Sequence, residues 1–331
     1  MSRNVGDTIK AGLYRSEGGR RHQWSVLMAS LLAVMGAFAL PPLSIAQQFW
    51  IVLVPIGIFG LSHGGADPLI LKRLAADRPG HLALITALYV LASLTFVALI
   101  WFLPTVALLL FLLLSIWHFG YTDASFLSDR PNALLLWLCG SLPILGPVLG
   151  HPAQTSELFA WLVVRDPQQV LTILQPAGIL LGVLWLLAFG ILVHGHHRQL
   201  GARVLAELVL VAGALTALPP LLAFAFYFCV IHSIRHFLSV AQQGLGRAEL
   251  ASTLMFLGRK AAPATLGAIV IALGAWGLIV ILEPAASLMV EAIRVMFWAL
   301  AALTLPHGLV VKAWYEGSAS DPQADQLDAN E

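Results

Sequence analysis

The sequence predicts an all-α, polytopic transmembrane helical bundle of about ten spans with N- and C-termini cytoplasmic, and three observations predict it. Apolar residues make up 59% of the 331 residues and charged residues only 11%, against roughly 45–50% and 25% in a soluble domain. Surface that apolar has no soluble core to hide in. The apolar residues also gather in ten continuous stretches, each near the roughly 17–25 residues a helix needs to cross the hydrocarbon, whereas barrel strands would alternate. Finally, Lys and Arg fall almost entirely on one side once these stretches are threaded through a bilayer. A net charge of only +1 excludes an electrostatic nucleic-acid binder. Two cysteines, Cys139 and Cys229, both in apolar runs, exclude a disulfide scaffold or a cysteine zinc site.

The predicted spans, in order, are 24–40, 48–71, 81–101, 104–127, 133–150, 170–194, 202–218, 220–241, 263–282 and 292–313. Helix breakers separate them: Pro41-Pro42 after the first, Pro104 before the fourth, Pro219-Pro220 between the seventh and eighth, and Glu283-Pro284 after the ninth. Short connections make sequential helices antiparallel neighbours. Segments 153–169 and 242–261 predict interfacial helices. The domain organisation expected is a cytoplasmic tail over 1–23, a transmembrane domain over 24–314 that carries all the concentrated chemistry, and a disordered acidic tail over 315–331. No internal repeat is apparent, and the first span lacks a signal-peptide cleavage site.

With the N-terminus cytoplasmic, Arg3, Lys10, Arg15, Arg20 and Arg21 lie in the tail. Lys72, Arg73, Arg78, Arg130, Arg198, Arg203, Arg247, Arg259, Lys260 and Lys312 lie at the same face, making 15 of 18. Arg235 and Arg294 fall within spans eight and ten, which leaves only Arg165 for the opposite side. A miscount of one span would mix the charges. The expected location is the cell membrane, as a multi-pass protein of a bacterial inner membrane.

Ionisable groups inside the spans are expensive in lipid and mark function. Span two carries His63 and Asp67, span four His118 and Asp123, span eight His232, Arg235 and His236, and span ten His307. These four spans run in the same direction. Each first histidine lies 12 to 15 positions after its span start, about 20 Å along the helix, so the rings fall in one layer of the inner half of the membrane. His232 and His236, four apart, share a helix face and can reach one metal ion. Imidazoles suit zinc, copper, iron or nickel, and neutral rings alone leave a divalent charge uncompensated. Asp67, four after His63, and Asp123, five after His118, are spaced to accept from ligand N–H groups or to act as charge partners. Arg235 is expected to pair with Asp67 or Asp123.

His63-Gly64 with Asp67, His118-Phe119-Gly120 with Asp123, His232-Ser233-x-Arg235-His236 and Leu305-Pro306-His307 resemble, in order and spacing, the signatures of the Brp/Blh family of bacterial and archaeal β-carotene 15,15′-dioxygenases. The resemblance covers about residues 49 to 314. Ser62 and Pro68 stand where the family commonly has proline and histidine, which removes no proposed ligand. The resemblance implies a non-haem iron(II) enzyme that cleaves the central double bond of β-carotene with O₂ to give two retinal. It implies Fe(2+) held by His63, His118, His232 and His236, and membrane lipid as surroundings. Asp67, Asp123, Arg235, His307, Trp117, Phe119 and Tyr227 become outer-shell or substrate residues. A retinal-binding rhodopsin is a candidate product acceptor. Four histidines on iron leave about two of six positions open for O₂ beside a double bond. A lipid-dissolved carotenoid calls for an apolar tunnel opening laterally, with Phe59, Trp117, Phe119, Phe224, Tyr227, Phe228, Phe297 and Trp298 as wall candidates.

Four other readings compete. An opsin needs a mid-span lysine for its Schiff base, and Lys10, Lys72, Lys260 and Lys312 all fall in tails, loops or helix ends. A membrane di-iron hydroxylase or desaturase is suggested by His194-Gly195-His196-His197, but that cluster precedes Arg198 after span six and reads as a solvated loop. A histidine-lined divalent-metal transporter would use the same rings as a permeation site. A haem-b protein would use them as axial ligands.

Overall fold

In the computed structural model the protein is helical throughout its described residues, which are 16–39, 41–76, 78–240, 250–285 and 287–317. The helices are α1 (Glu17–Ala39), α2 (Ile45–Gly60), α3 (Leu61–Gly64), α4 (Asp67–Leu74), α5 (Pro79–Phe102), α6 (Pro104–Leu127), α7 (Ala133–Gly150), α8 (Pro152–Val163), α9 (Pro167–Ala217), α10 (Pro220–Val240), α11 (Leu250–Leu282) and α12 (Leu288–Gly317). Among the described residues, nine segments are long and apolar enough to cross a membrane, α9 supplying two of them, Pro167–Gly195 and Leu200–Ala217. This is a multi-pass membrane protein.

The second predicted span, 48–71, is not one helix. Its α2 ends in a π-helical turn over Ile56–Gly60, one α-helical turn follows as α3, and the chain bends at Gly65-Ala66 before α4. Hydropathy sees the apolar length but not the interruptions. The connection between spans six and seven also differs. α9 is continuous apart from Gly201, which adopts φ 79° and ψ 157°, a left-handed conformation that glycine reaches without Cβ strain. On the first limb, Trp185 Nε1 donates to the Leu138 carbonyl at 3.1 Å and Gly178 abuts Val148. On the second limb, Gly146 abuts Leu215 and His151 Nε2 lies 3.1 Å from the Ala217 carbonyl. The limbs therefore run in opposite directions along α7, as a hairpin.

Proline opens α5, α6, α8, α9 and α10 within the first turn, where its missing N–H costs nothing. α1 begins at Glu17 rather than 24, so Arg20 and Arg21 sit on its first turns. The expected interfacial helix 153–169 is the short α8, ending at Val163. Of 242–261, the part up to 249 lies outside the described residues and the rest belongs to α11. His194 to His197 continue α9 rather than forming a loop; His194 is exposed, and the side chains of His196 and His197 lie outside the described residues. The same holds for residues 1–15 and 318–331 of the expected tails.

The polar residues at the start of α2 organise one end of the bundle. Gln48, fully buried, accepts from the Leu221 N–H at 3.1 Å, supplying an orphan amide of the first turn of α10. Its amide donates to the Leu43 carbonyl and to Gln154 of α8, each at 3.0 Å. α2, α8 and α10 are thus locked together. Below this knot α10 is the most buried of the candidate spans and α11 the most exposed. At the level of the histidines, α6 and α7 touch backbone to backbone: a Cβ on Gly140 would lie 1.9 Å from the Ile116 carbonyl oxygen. Small residues permit such approaches in lipid, where helix association rests on close packing.

Candidate metal centre and cavity

The four described histidines of the motifs come together from three helices. α6 supplies His118, α10 supplies His232 and His236, and α12 supplies His307. Ring centroids of His118 and His232 are 4.9 Å apart, those of His118 and His307 4.9 Å, and those of His236 and His307 5.4 Å. All four side chains are buried. His63 lies on α3, but its side chain is outside the described residues.

His118 Nε2 faces His232 Nε2 at 3.1 Å. Two metal–nitrogen bonds of about 2.1 Å at a right angle put ligand atoms about 3.0 Å apart, so this is the spacing of neighbouring imidazoles on one ion. Among the described residues, no three His, Cys, Asp or Glu side chains converge closely enough to hold an ion by themselves. The donor set nonetheless fits a first-row transition ion. It is made of imidazole nitrogens, water is excluded, and carboxylates stand behind the rings.

The local backbone explains part of this convergence. A π-helical turn over Phe226–His232 ends on His232 itself. Both the Ser233 N–H and its hydroxyl, the latter at 2.6 Å, donate to the Phe228 carbonyl five residues back, which stabilises the widened turn. Such turns insert one residue into a helix and re-aim the side chains beyond it. Gly308 admits Trp117 beside His118, since a Cβ there would lie 2.7 Å from the indole.

The carboxylates gain partners that spacing along their own helices does not suggest. Asp67 receives His307 Nδ1 at 2.8 and 3.0 Å, and the Tyr89 hydroxyl donates to it at 2.8 Å. An ionised carboxylate only accepts, so the His307 Nδ1–H donates to it. Asp123 stands 3.7 Å from His232 Nδ1, not beside His118, because the two are five apart and point to different faces of α6. The Tyr227 hydroxyl donates to Asp123 Oδ2. Arg235 Nη1 lies 3.8 Å from Asp123 and its Nη2 bonds Glu207 of α9. Tyr89 and Glu207 escape motif reading. The available signal for Glu207 is that it is a lone acid inside an apolar span.

A cavity of about 270 Å³ lies against the centre, with His118, His307, Asp67 and Tyr89 in a wall that is otherwise mostly apolar. A second, narrower one of about 70 Å³ adjoins it and shares Phe111, Ser115, Phe119 and Phe224. It extends past Leu112, Ile144 and Leu158 to Phe297. Phe119, Phe224 and Phe228 line the first cavity, Phe297 the second, and Trp298 a smaller recess beyond. Three expected wall residues lie elsewhere. Phe59 is 55% exposed on the outside of α2, Trp117 packs on Gly308 and stacks on Tyr121, and Tyr227 turns its hydroxyl to Asp123.

Comparison with known proteins gives a consistent result. Residues 54–315 match a family described as β-carotene 15,15′-dioxygenase. A protein of that name from an uncultured marine bacterium, 66A03, is 29% identical over 271 residues, covering 79% of this chain and 92% of its own. The probable β-carotene 15,15′-dioxygenase Blh of Halobacterium salinarum is 28% identical over 317 residues, covering 87% and 89%. No solved structure matches the chain.

Proposed function

Because the chain belongs to the β-carotene 15,15′-dioxygenase family, we propose that it is a cell-membrane enzyme that cleaves the central 15,15′ double bond of β-carotene with O₂, giving two retinal. Non-haem iron(II) is the cofactor, with His63, His118, His232 and His236 as ligands. The observation that carries this reading is the position of the histidine cluster: His118 and His307 stand in the wall of a mainly apolar cavity that continues into a second one. A long hydrocarbon has room on both sides of its reacting bond. Iron, when bound, supplies the one-electron chemistry that O₂ requires and that no side chain here offers.

The remaining tasks fall to the chain's own residues. Phe119, Phe224 and Phe228 hold the polyene by apolar contact and exclude water from the reacting bond. Asp67 and Tyr89 fix the His307 ring with its Nε2 side toward the cluster. Asp123 does the same for His232 through Nδ1. These two carboxylates also offset the charge of a divalent ion among neutral rings. The product leaves into lipid, with a retinal-binding rhodopsin as a candidate acceptor.

Purified protein with iron(II) and β-carotene should consume O₂ and yield retinal as the only aldehyde. Chelation should stop the reaction, and zinc, which has no redox chemistry, should not restore it. Longer apocarotenals would mean off-centre cleavage, and no O₂ consumption with β-carotene would overturn the reading.

A further inference from the structure

Arg235 poses an electrostatic problem that the cluster must solve. It lies on α10 between His232 and His236, is 3% exposed, and is charged at any pH. A guanidinium beside rings that hold a divalent cation repels that cation. It also draws away any carboxylate meant to compensate it. Two carboxylates reach it, and they reach it unequally. Glu207 of α9, 2% exposed, bonds Nη2 directly, while the Asp123 Oδ1 stands between two claims, 3.8 Å from Nη1 and 3.7 Å from His232 Nδ1. The guanidinium lies over the Phe126 ring, with Cζ 4.9 Å from its centroid.

We infer that Glu207 is a positioning residue for the metal centre: by neutralising Arg235 it leaves the charge of Asp123 to His232 and so to the ion that His232 holds. This rests on the metal-centre reading proposed above. The charge count supports it. Arg235 and Glu207 cancel, and Asp123 behind His232 with Asp67 behind His307 supply two negative charges for one divalent ion. Asp67 is paired with His307, and Glu207 takes the closer share of Arg235 from Asp123. Without Glu207, the nearest carboxylate for the guanidinium is Asp123, and a modest closure from 3.8 Å would take it from His232.

The test is a titration of metal-free full-length protein in detergent with cobalt(II), whose visible absorption reports imidazole coordination, beside iron(II) content after reconstitution. Glu207→Gln keeps the shape and removes the charge, and should weaken cobalt(II) binding about 10–100-fold, the effect of losing an outer-shell partner. Adding Arg235→Met removes the cation as well, and apolar replacement of a buried ion pair is tolerated. The double variant should therefore bind within a few-fold of wild type, a rescue that a packing role would not produce. Should the single variant fail to fold, the double variant still decides: wild-type-like binding supports the inference and weak binding overturns it. Unchanged binding in a folded Glu207→Gln protein also overturns it. Wild type that binds neither metal would instead sink the metal-centre reading itself.

Discussion

Asp67 joins two positions far apart in sequence, Tyr89 and His307, and this fixes what its replacement should do. Replacing His118, His232, His236 or His63 by Ala should remove most bound iron and essentially all activity, because an open and misshapen site cannot hold the ion. Asp67→Asn should cost about 10–100-fold in activity, as an outer-shell change does. If Asp67 acts through His307, the double variant Asp67→Asn/His307→Ala should be no slower than His307→Ala alone; full additivity in kcat/KM would refute that link. Tyr89→Phe removes one of several bonds to Asp67 and should cost about tenfold or less. The residue types of the site were legible because ionisable groups in apolar spans are conspicuous. Their pairing was not. Spacing along one segment proposes His63 for Asp67, and it gives no hint of His307, which the fold brings to the same carboxylate from 240 residues away.

α6 is held where it is by glycine. The Cβ of Gly140→Ala would lie 1.9 Å from a backbone oxygen of α6, two residues before His118, and neither backbone can yield cheaply. Thermal unfolding in detergent should show a loss of about 1–3 kcal/mol, the usual cost of overpacking, and bound iron should fall with it. Further along α6, Leu112 and Ile144 of α7 face the second cavity. Leu112→Trp or Ile144→Trp should lower kcat/KM for β-carotene by about tenfold or more, as crowding a hydrocarbon pocket does. A β-apocarotenal with one intact ring half and a shortened other half should stay near wild type. Equal losses for both substrates would show that the second cavity holds no substrate. Helix starts at Pro104 and Pro220 were legible, since proline announces its own constraint. The π turns, the bend at Gly65 and the single-residue reversal at Gly201 were not, because they depend on carbonyls, hydroxyls and neighbours rather than on apolar length.

The bundle as a whole is threaded by alternation, and the hairpin of α9 keeps that alternation intact. Reporter fusions after Gln47, Leu103, Gln154, Pro219 and Pro284 should report the outer face. Fusions after Arg78, Arg130, Arg198, Arg247 and Trp314 should report the cytoplasm. Two consecutive fusions on one side would break the ten-crossing arrangement and the expected placement of the charges. The two cavities carry a consequence for timing. On the proposed reaction, cutting one symmetrical molecule at its middle makes two identical products, which would lie in cavities with different walls. Identical molecules in different surroundings leave at different rates. A single turnover of β-carotene under excess enzyme should release retinal in two phases of equal amplitude, and a single phase would show that the two cavities do not hold the products apart. The protein would thus break the symmetry of its substrate in time, although the chemistry preserves it in space.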